Sequence, residues 1–141
     1  MIEVVNRQRR RKMPNERWRV FAAKALQAIG RDNQSATIAF VSDRRMRELN
    51  RSFRGIGKTT DVLSFPAGDD DFGQTATINL GDIAISVERA ESQAAEHGLK
   101  FDSEIAQLIL HGLLHLCGYD HETDNGEMNR LELRLRRRLG I

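Results

Sequence analysis

The 141-residue chain has a single cysteine, Cys117, and aromatic residues make up only 6% of it. One cysteine excludes an internal disulfide and any zinc site built on paired cysteines. A metal here therefore has to be held by histidine with aspartate or glutamate. No apolar run approaches the ~18 residues of a membrane-spanning helix, so no membrane association is expected. The N-terminus, MIEVVNRQRR, lacks the apolar stretch of a signal peptide. Together with the lone thiol, that makes a cytoplasmic location the expectation. No internal repeat, low-complexity tract or linker divides the sequence, so residues 1–141 read as one domain. With 40% hydrophobic residues the chain can bury a normal core.

Net charge is only +2, yet positive charge is clustered. RQRRRK occupies residues 7–12 and RLRRR residues 134–138. Arginine forks match phosphate oxygens, so these runs point to nucleic acid, although each also suits a solvated face.

Apolar periodicity sets out the elements. IEVVN (2–6), ATIAFV (36–41), DVLSF (61–65) and NLGDIAIS (79–86) read as strands, the third stopped by Pro66. PNERWRVFAAKALQAI reads as a helix closed by Gly30, with Trp18, Phe21, Ala22, Ala25 and Ile29 as core. Ser42 caps a short helix over DRRMRELN, followed by a glycine-punctuated loop. Ser86 starts a helix that runs to about His97 and closes at Gly98. Another begins near Asp102. The last begins at Asp124, which has capping-box spacing to Glu127 and precedes the stripe Met128, Leu131, Leu135, Leu139. Residues 67–77, with Asp69, Asp70 and Asp71, read as a solvated acidic loop. The expected fold is α+β: a small mixed sheet of about four strands packed with about five helices, around a zincin-like central metal-binding helix.

That central helix carries the chemistry. Leucines and isoleucines from Ile105 to Leu116 lie all round it, so it is buried. His111 and His115 lie about 40° apart on its cylinder, one turn from each other. Two imidazoles on one face of an apolar helix are costly to leave unpaired, and a cation stabilises the neutral rings that coordinate it. Gly118 can end the helix with a positive φ and return the chain so that His121 approaches the pair. The spacing H-x3-H-x2-G-x2-H is the metzincin pattern with one residue changed. Three ligands leave a fourth position open, the mark of a catalytic zinc site. Asp120 competes with His121 as third ligand and also suits a supporting or turn role. Cys117, about 240° round from His111, reads as a small buried hydrophobe.

The changed residue is Gly112, which replaces the glutamate that serves HExxH proteases as general base. Glycine costs ~1 kcal/mol in a helix interior relative to alanine, so a reason for it is expected. Room beside the metal for a larger substrate, or for a neighbouring chain, is the reason the sequence suggests.

HGLLHLCGYDH (111–121) resembles the signature of the YbeY family of bacterial endoribonucleases and ribosomal RNA maturation factors. RGIGKTTDVLSFP (54–66) and LGDIAIS (80–86) are similar to that family's second and third hallmarks. The resemblance implies a single-strand-specific endoribonuclease. It implies action in 16S ribosomal RNA 3′-end maturation and ribosome quality control, with RNA, the small ribosomal subunit and its proteins as partners and no DNA. It implies metal ligands at His111, His115 and His121, with His115 and Arg54 needed for catalysis. Thr59 stands where the family often has proline, which leaves the shape of that loop open.

The chemistry of the residues agrees. A zinc ion on three histidines lowers its water's pKa from 15.7 to about 7. Nickel, cobalt and copper also suit imidazole ligands. Arg54 can fork onto phosphoryl oxygens. Asp61 and Asp82, beside predicted strands, can orient a ligand histidine or order a loop, and Asp61 also suits a strand-start cap. The nucleophile is water or the RNA 2′-hydroxyl. With few aromatics, phosphate contacts should outweigh base stacking. Two rivals stand beside this reading: a metallopeptidase lacking its usual carboxylate, and a non-enzymatic ribosome assembly factor stapled by a metal.

Overall fold

In the computed structural model, residues 1–68, 78–120 and 122–141 are described. Most of the acidic loop, with its three aspartates, and His121 lie outside them. The elements run β1 (Ile2–Asn6), α1 (Asn15–Ile29), β2 (Ser35–Val41), α2 (Asp43–Arg54), β3 (Val62–Pro66), β4 (Asn79–Ser86), α3 (Val87–His97), α4 (Phe101–Leu116) and α5 (Glu127–Leu139). The sheet order is β1-β2-β4-β3. β1 and β4 run parallel to β2, and β3 pairs antiparallel to β4. This is the expected α+β arrangement of a four-stranded mixed sheet with five helices.

The alternation of each strand sorts side chains between two faces. Ile2, Ala36, Ile38, Phe40, Ile83 and Ile85 point into the main core with α1, α4 and α5. Val41, Leu63 and Ala84 make a smaller cluster with Met46 of α2 on the other face. α4 lies centrally, against α1, α3, α5, β3 and β4. Ile105, Ile109, Leu110, Leu113 and Leu114 are fully buried, as an all-round apolar helix requires.

Four expectations are corrected. α2 continues past Asn50 to Arg54, because the helix runs on to Gly55, which caps it in the left-handed region. Arg54 is thus in a last helical turn and not in a loop. Pro66 is the last paired residue of β3, opposite Gly81; β3 is an edge strand, where a missing N–H is tolerated. α5 begins at Glu127, after Gly126, and not at Asp124. Asp124 still serves that end, accepting from the Gly126 and Met128 N–H groups at 2.8 Å each.

The fourth concerns Gly112, where a neighbouring stretch of chain and not a substrate takes the room. It is buried and faces the sheet, not the space beside the histidines: a Cβ there would lie 2.9 Å from Ile83 Cγ2 and 3.0 Å from its Cδ1. Ser64 adds a clasp, its hydroxyl donating to the Gly112 carbonyl at 3.1 Å. Glycine is needed because α4 and β4 approach too closely for a methyl group. Gly112→Ala should therefore lower stability by up to about 2 kcal/mol, overpacking against the Ile83 side chain outweighing alanine's gain of about 1 kcal/mol in a helix. Denaturant midpoints measure this; with Ile83→Ala as partner the double variant should lose less than the two losses combined. A Gly112→Ala protein as stable as the parent contradicts the close-approach explanation.

Candidate metal centre

α4 sets the two histidines one turn apart, and their rings meet edge to face with centroids 4.6 Å apart. Their Nε2 atoms are 3.1 Å from each other. Each ring is held from behind through Nδ1. His115 Nδ1 lies 3.0 Å from the Tyr119 carbonyl oxygen, and His111 Nδ1 lies 3.0 Å from Glu132 Oε1 of α5. A carbonyl only accepts, so His115 must carry its proton on Nδ1. Glu132 is only 6% exposed. Burial pushes its carboxyl up, but the His111 hydrogen bond and the nearby charge of Arg136 act against this, and the carboxyl lies below the usual carboxylate range. An ionised Glu132 likewise only accepts, so the hydrogen-bond network places the His111 proton on Nδ1.

The consequence is two Nε2 lone pairs aimed at one another, which calls for positive charge between or beside them. Metal-ligating histidines show this supporting pattern, with the second nitrogen fixed by a carboxylate or a carbonyl. The donor set therefore fits a divalent transition metal. Among the described residues no group of three or more His, Cys, Asp or Glu side chains sits together as a metal cluster. The expected third donor, His121, is outside them.

The turn behind His115 forms as its residues dictate. Gly118 takes φ +96°, and its N–H and that of Tyr119 close on the His115 and Leu114 carbonyls at 3.0 and 3.1 Å. This places the Tyr119 carbonyl at His115 Nδ1. Asp120, exposed, accepts from the Glu122 N–H at 3.0 Å and shapes the next turn. Cys117 is half-buried against the core, where burial raises its thiol pKa.

His111 and His115 open into a cavity of about 510 Å³, also lined by Arg54, Asp61, Ser64, Tyr119, Asp120 and Glu122. Arg54 thus lines the same cavity from α2, with 56 residues of chain between it and His111. The loop between Arg54 and Asp61 is tied down: Asn50 donates to the Lys58 carbonyl at 2.8 Å, and Thr59 donates to the Asp43 carboxylate. Thr59, at the position where the resembled family often has proline, thus makes a side-chain anchor of its own. Asp61 accepts from the Val62 N–H at 2.8 Å and from the Thr60 hydroxyl at 3.3 Å, the strand-start cap. Asp82 is not brought to the site: it is exposed and alternates with Ile83 onto the α2 side of the sheet. Neither arginine run lines the cavity among the described residues. Arg10 and Arg11 instead pair with Glu91, at 3.0 and 3.4 Å.

Glu132 is the residue that the sequence reading passes over. Its signal is positional: a carboxylate at i+4 from Met128 and i−3 from Leu135, on the buried stripe of α5.

Comparison with known proteins follows the same lines as the hallmarks. The family profile described as endoribonuclease YbeY matches residues 3–140. An endoribonuclease YbeY of Clostridioides difficile is 42% identical over 78% of this chain and 74% of its own length. One of Campylobacter fetus is 46% identical over 74% of each, and one of Geobacter sulfurreducens is 36% identical over 96% of this chain and 91% of its own. A Thermotoga maritima protein whose structure was determined in solution superposes with a TM-score of 0.66 at 26% identity, covering 99% of this chain and 89% of that one. With a match over nearly the whole sequence, this chain belongs to the endoribonuclease YbeY family.

Proposed function

We propose that this chain is a metal-dependent endoribonuclease that hydrolyses phosphodiester bonds in single-stranded RNA. His111, His115 and His121 hold one zinc-class ion. Its role in the cell is 16S ribosomal RNA 3′-end maturation and ribosome quality control, in the cytoplasm, on the small ribosomal subunit and its proteins. The observation that carries this reading is one cavity lined both by the converging Nε2 atoms and by Arg54.

When bound, the ion supplies Lewis acidity, polarising a phosphoryl oxygen and acidifying water. The chain's own residues do the rest. Arg54 is exposed at a helix end and can present its planar fork to two phosphoryl oxygens, where negative charge grows as attack proceeds. Ser64 lines the same cavity but gives its hydroxyl hydrogen to the Gly112 carbonyl, which argues against a serine–histidine nucleophile. Gly112 offers no carboxylate and its Cα faces Ile83, which argues against peptide hydrolysis of the HExxH kind. Tyr119 is the aromatic lining residue among those described, so binding rests on phosphates more than on stacked bases.

Elemental analysis beside cleavage of a structured RNA with single-stranded tails tests this. Wild type should carry one ion and lose cleavage on chelation. His115→Ala should lose both ion and cleavage. Arg54→Glu should keep the ion and cleave roughly 10²–10³-fold more slowly, the range for removing one transition-state donor. A folded His115→Ala protein that cleaves at the parental rate overturns the proposal. One that still joins ribosomal particles and supports RNA processing points to the assembly-factor alternative.

RNA affinity should also fall with salt. If about three phosphates are contacted, a plot of log affinity against log salt has a slope of about −2 for single strands. A flat response, measured by fluorescence anisotropy with a labelled single strand, counts against RNA as ligand.

A further inference from the structure

Glu132 is a carboxylate placed on the buried face of a helix whose neighbouring face positions are Met128 and Leu135. An apolar side chain would pack there without the desolvation that a carboxylate incurs, so the carboxylate has to be matched by the groups it bonds to. Its hydrogen-bond partner at normal distance is His111 Nδ1, at 3.0 Å; Arg136, one turn on, approaches the same oxygen only to 3.7 Å. His115, by contrast, is oriented by a main-chain carbonyl, so the two rings are held by different kinds of acceptor. The backbone can fix a tautomer, and so can a carboxylate. The carboxylate also adds a negative charge behind the ring.

We propose that Glu132 is a positioning residue: it locks His111 in the Nδ1–H tautomer so that Nε2 is presented as a lone pair, and its charge strengthens His111 as a ligand. This rests on the metal reading of His111 and His115. Arg136 is the flanking cation, 3.7 Å from the same carboxylate oxygen, and with Glu132 and His111 it lines a second cavity that also includes Glu104 and Asp61.

The test uses the full chain and Co²⁺ or Zn²⁺ alone as probe, in competition with a chromophoric chelator. Glu132→Gln keeps shape and loses charge; Glu132→Leu loses the acceptor as well. Affinity should fall about 10-fold in the first and up to about 100-fold in the second, the range for removing a supporting partner of a ligand histidine. The thermal midpoint of the metal-free protein should stay near wild type in Glu132→Gln, whose amide oxygen can still accept from His111, which separates its loss of affinity from a folding defect. A merely structural role would not move a third readout. In long-range ¹⁵N spectra of the metal-free protein, His111 should leave the Nδ1–H form in Glu132→Leu while His115 keeps it. If wild type takes up one ion, His115→Ala does not, and Glu132→Leu binds within about twofold of wild type, Glu132 is not a positioning residue and the metal reading stands. An unchanged His111 tautomer has the same consequence. If wild type itself takes up no ion, both readings fall together.

Discussion

Two imidazole Nε2 atoms held 3.1 Å apart, on rings that are each tethered through Nδ1, are the constraint on which this site depends. Such a pair is not a resting arrangement for neutral rings. It persists because each ring is tethered from behind and cannot rotate away without giving up a hydrogen bond in a half-buried place, where unmade hydrogen bonds are expensive. The two tethers come from opposite sides in sequence. One is the carbonyl exposed when Gly118 ends α4, and the other is a carboxylate carried in by α5. The last helix is therefore more than a lid over apolar surface, since its Met128 and Leu135 fix the depth at which Glu132 meets His111.

The same helix has to be held against the sheet. Gly112 lets α4 sink onto Ile83, and the Ser64 hydroxyl clasps the carbonyl of that same glycine from β3. This clasp has two effects. It fixes the height of His111, next in the chain to Gly112, above β3 and β4. It also commits the position that a protease of similar spacing uses for its base, so α4 contributes imidazoles and no proton acceptor there. Any proton acceptor in the cavity has to come from another element than α4.

Much of this could be read from the sequence, because the signals were local. The strands follow from short β-branched runs, the helix starts at α2 and α3 from Ser42 and Ser86, and the end of α4 from Gly118. The serine caps each accept the N–H three residues on, as their type predicts. The histidine pair follows from helical geometry alone. What could not be read depended on partners distant in sequence. Gly112 suited either a substrate or a neighbouring chain, and only the sheet beneath it decides between them. Asp82 looked suited to the site until the strand's alternation put it on the other face. Glu132 was hidden among the charges of RLELRLRRR, because its burial depends on how α5 lies across α4 and not on its immediate neighbours. Arg54 was assigned to a loop because glycines follow it, whereas the first of those glycines is the cap of the helix that carries it.

The charge balance of the cavity ties these parts together. Besides the histidines, its described lining carries three carboxylates, Asp61, Asp120 and Glu122, against the single guanidinium of Arg54. A phosphodiester entering such a space meets more negative charge than positive, and like charges close together in a partly desolvated cleft repel strongly. Arg54 alone does not reverse that sign. A divalent ion beside His111 and His115 would cancel the excess, so on this reading RNA binding and metal binding are linked: the cavity accepts an anion better when the histidines are occupied. Glu132, behind the ring and screened from the cavity by it, favours the ion without adding to the repulsion that the substrate meets. An acidic cavity thereby favours a cation first and an anion after it.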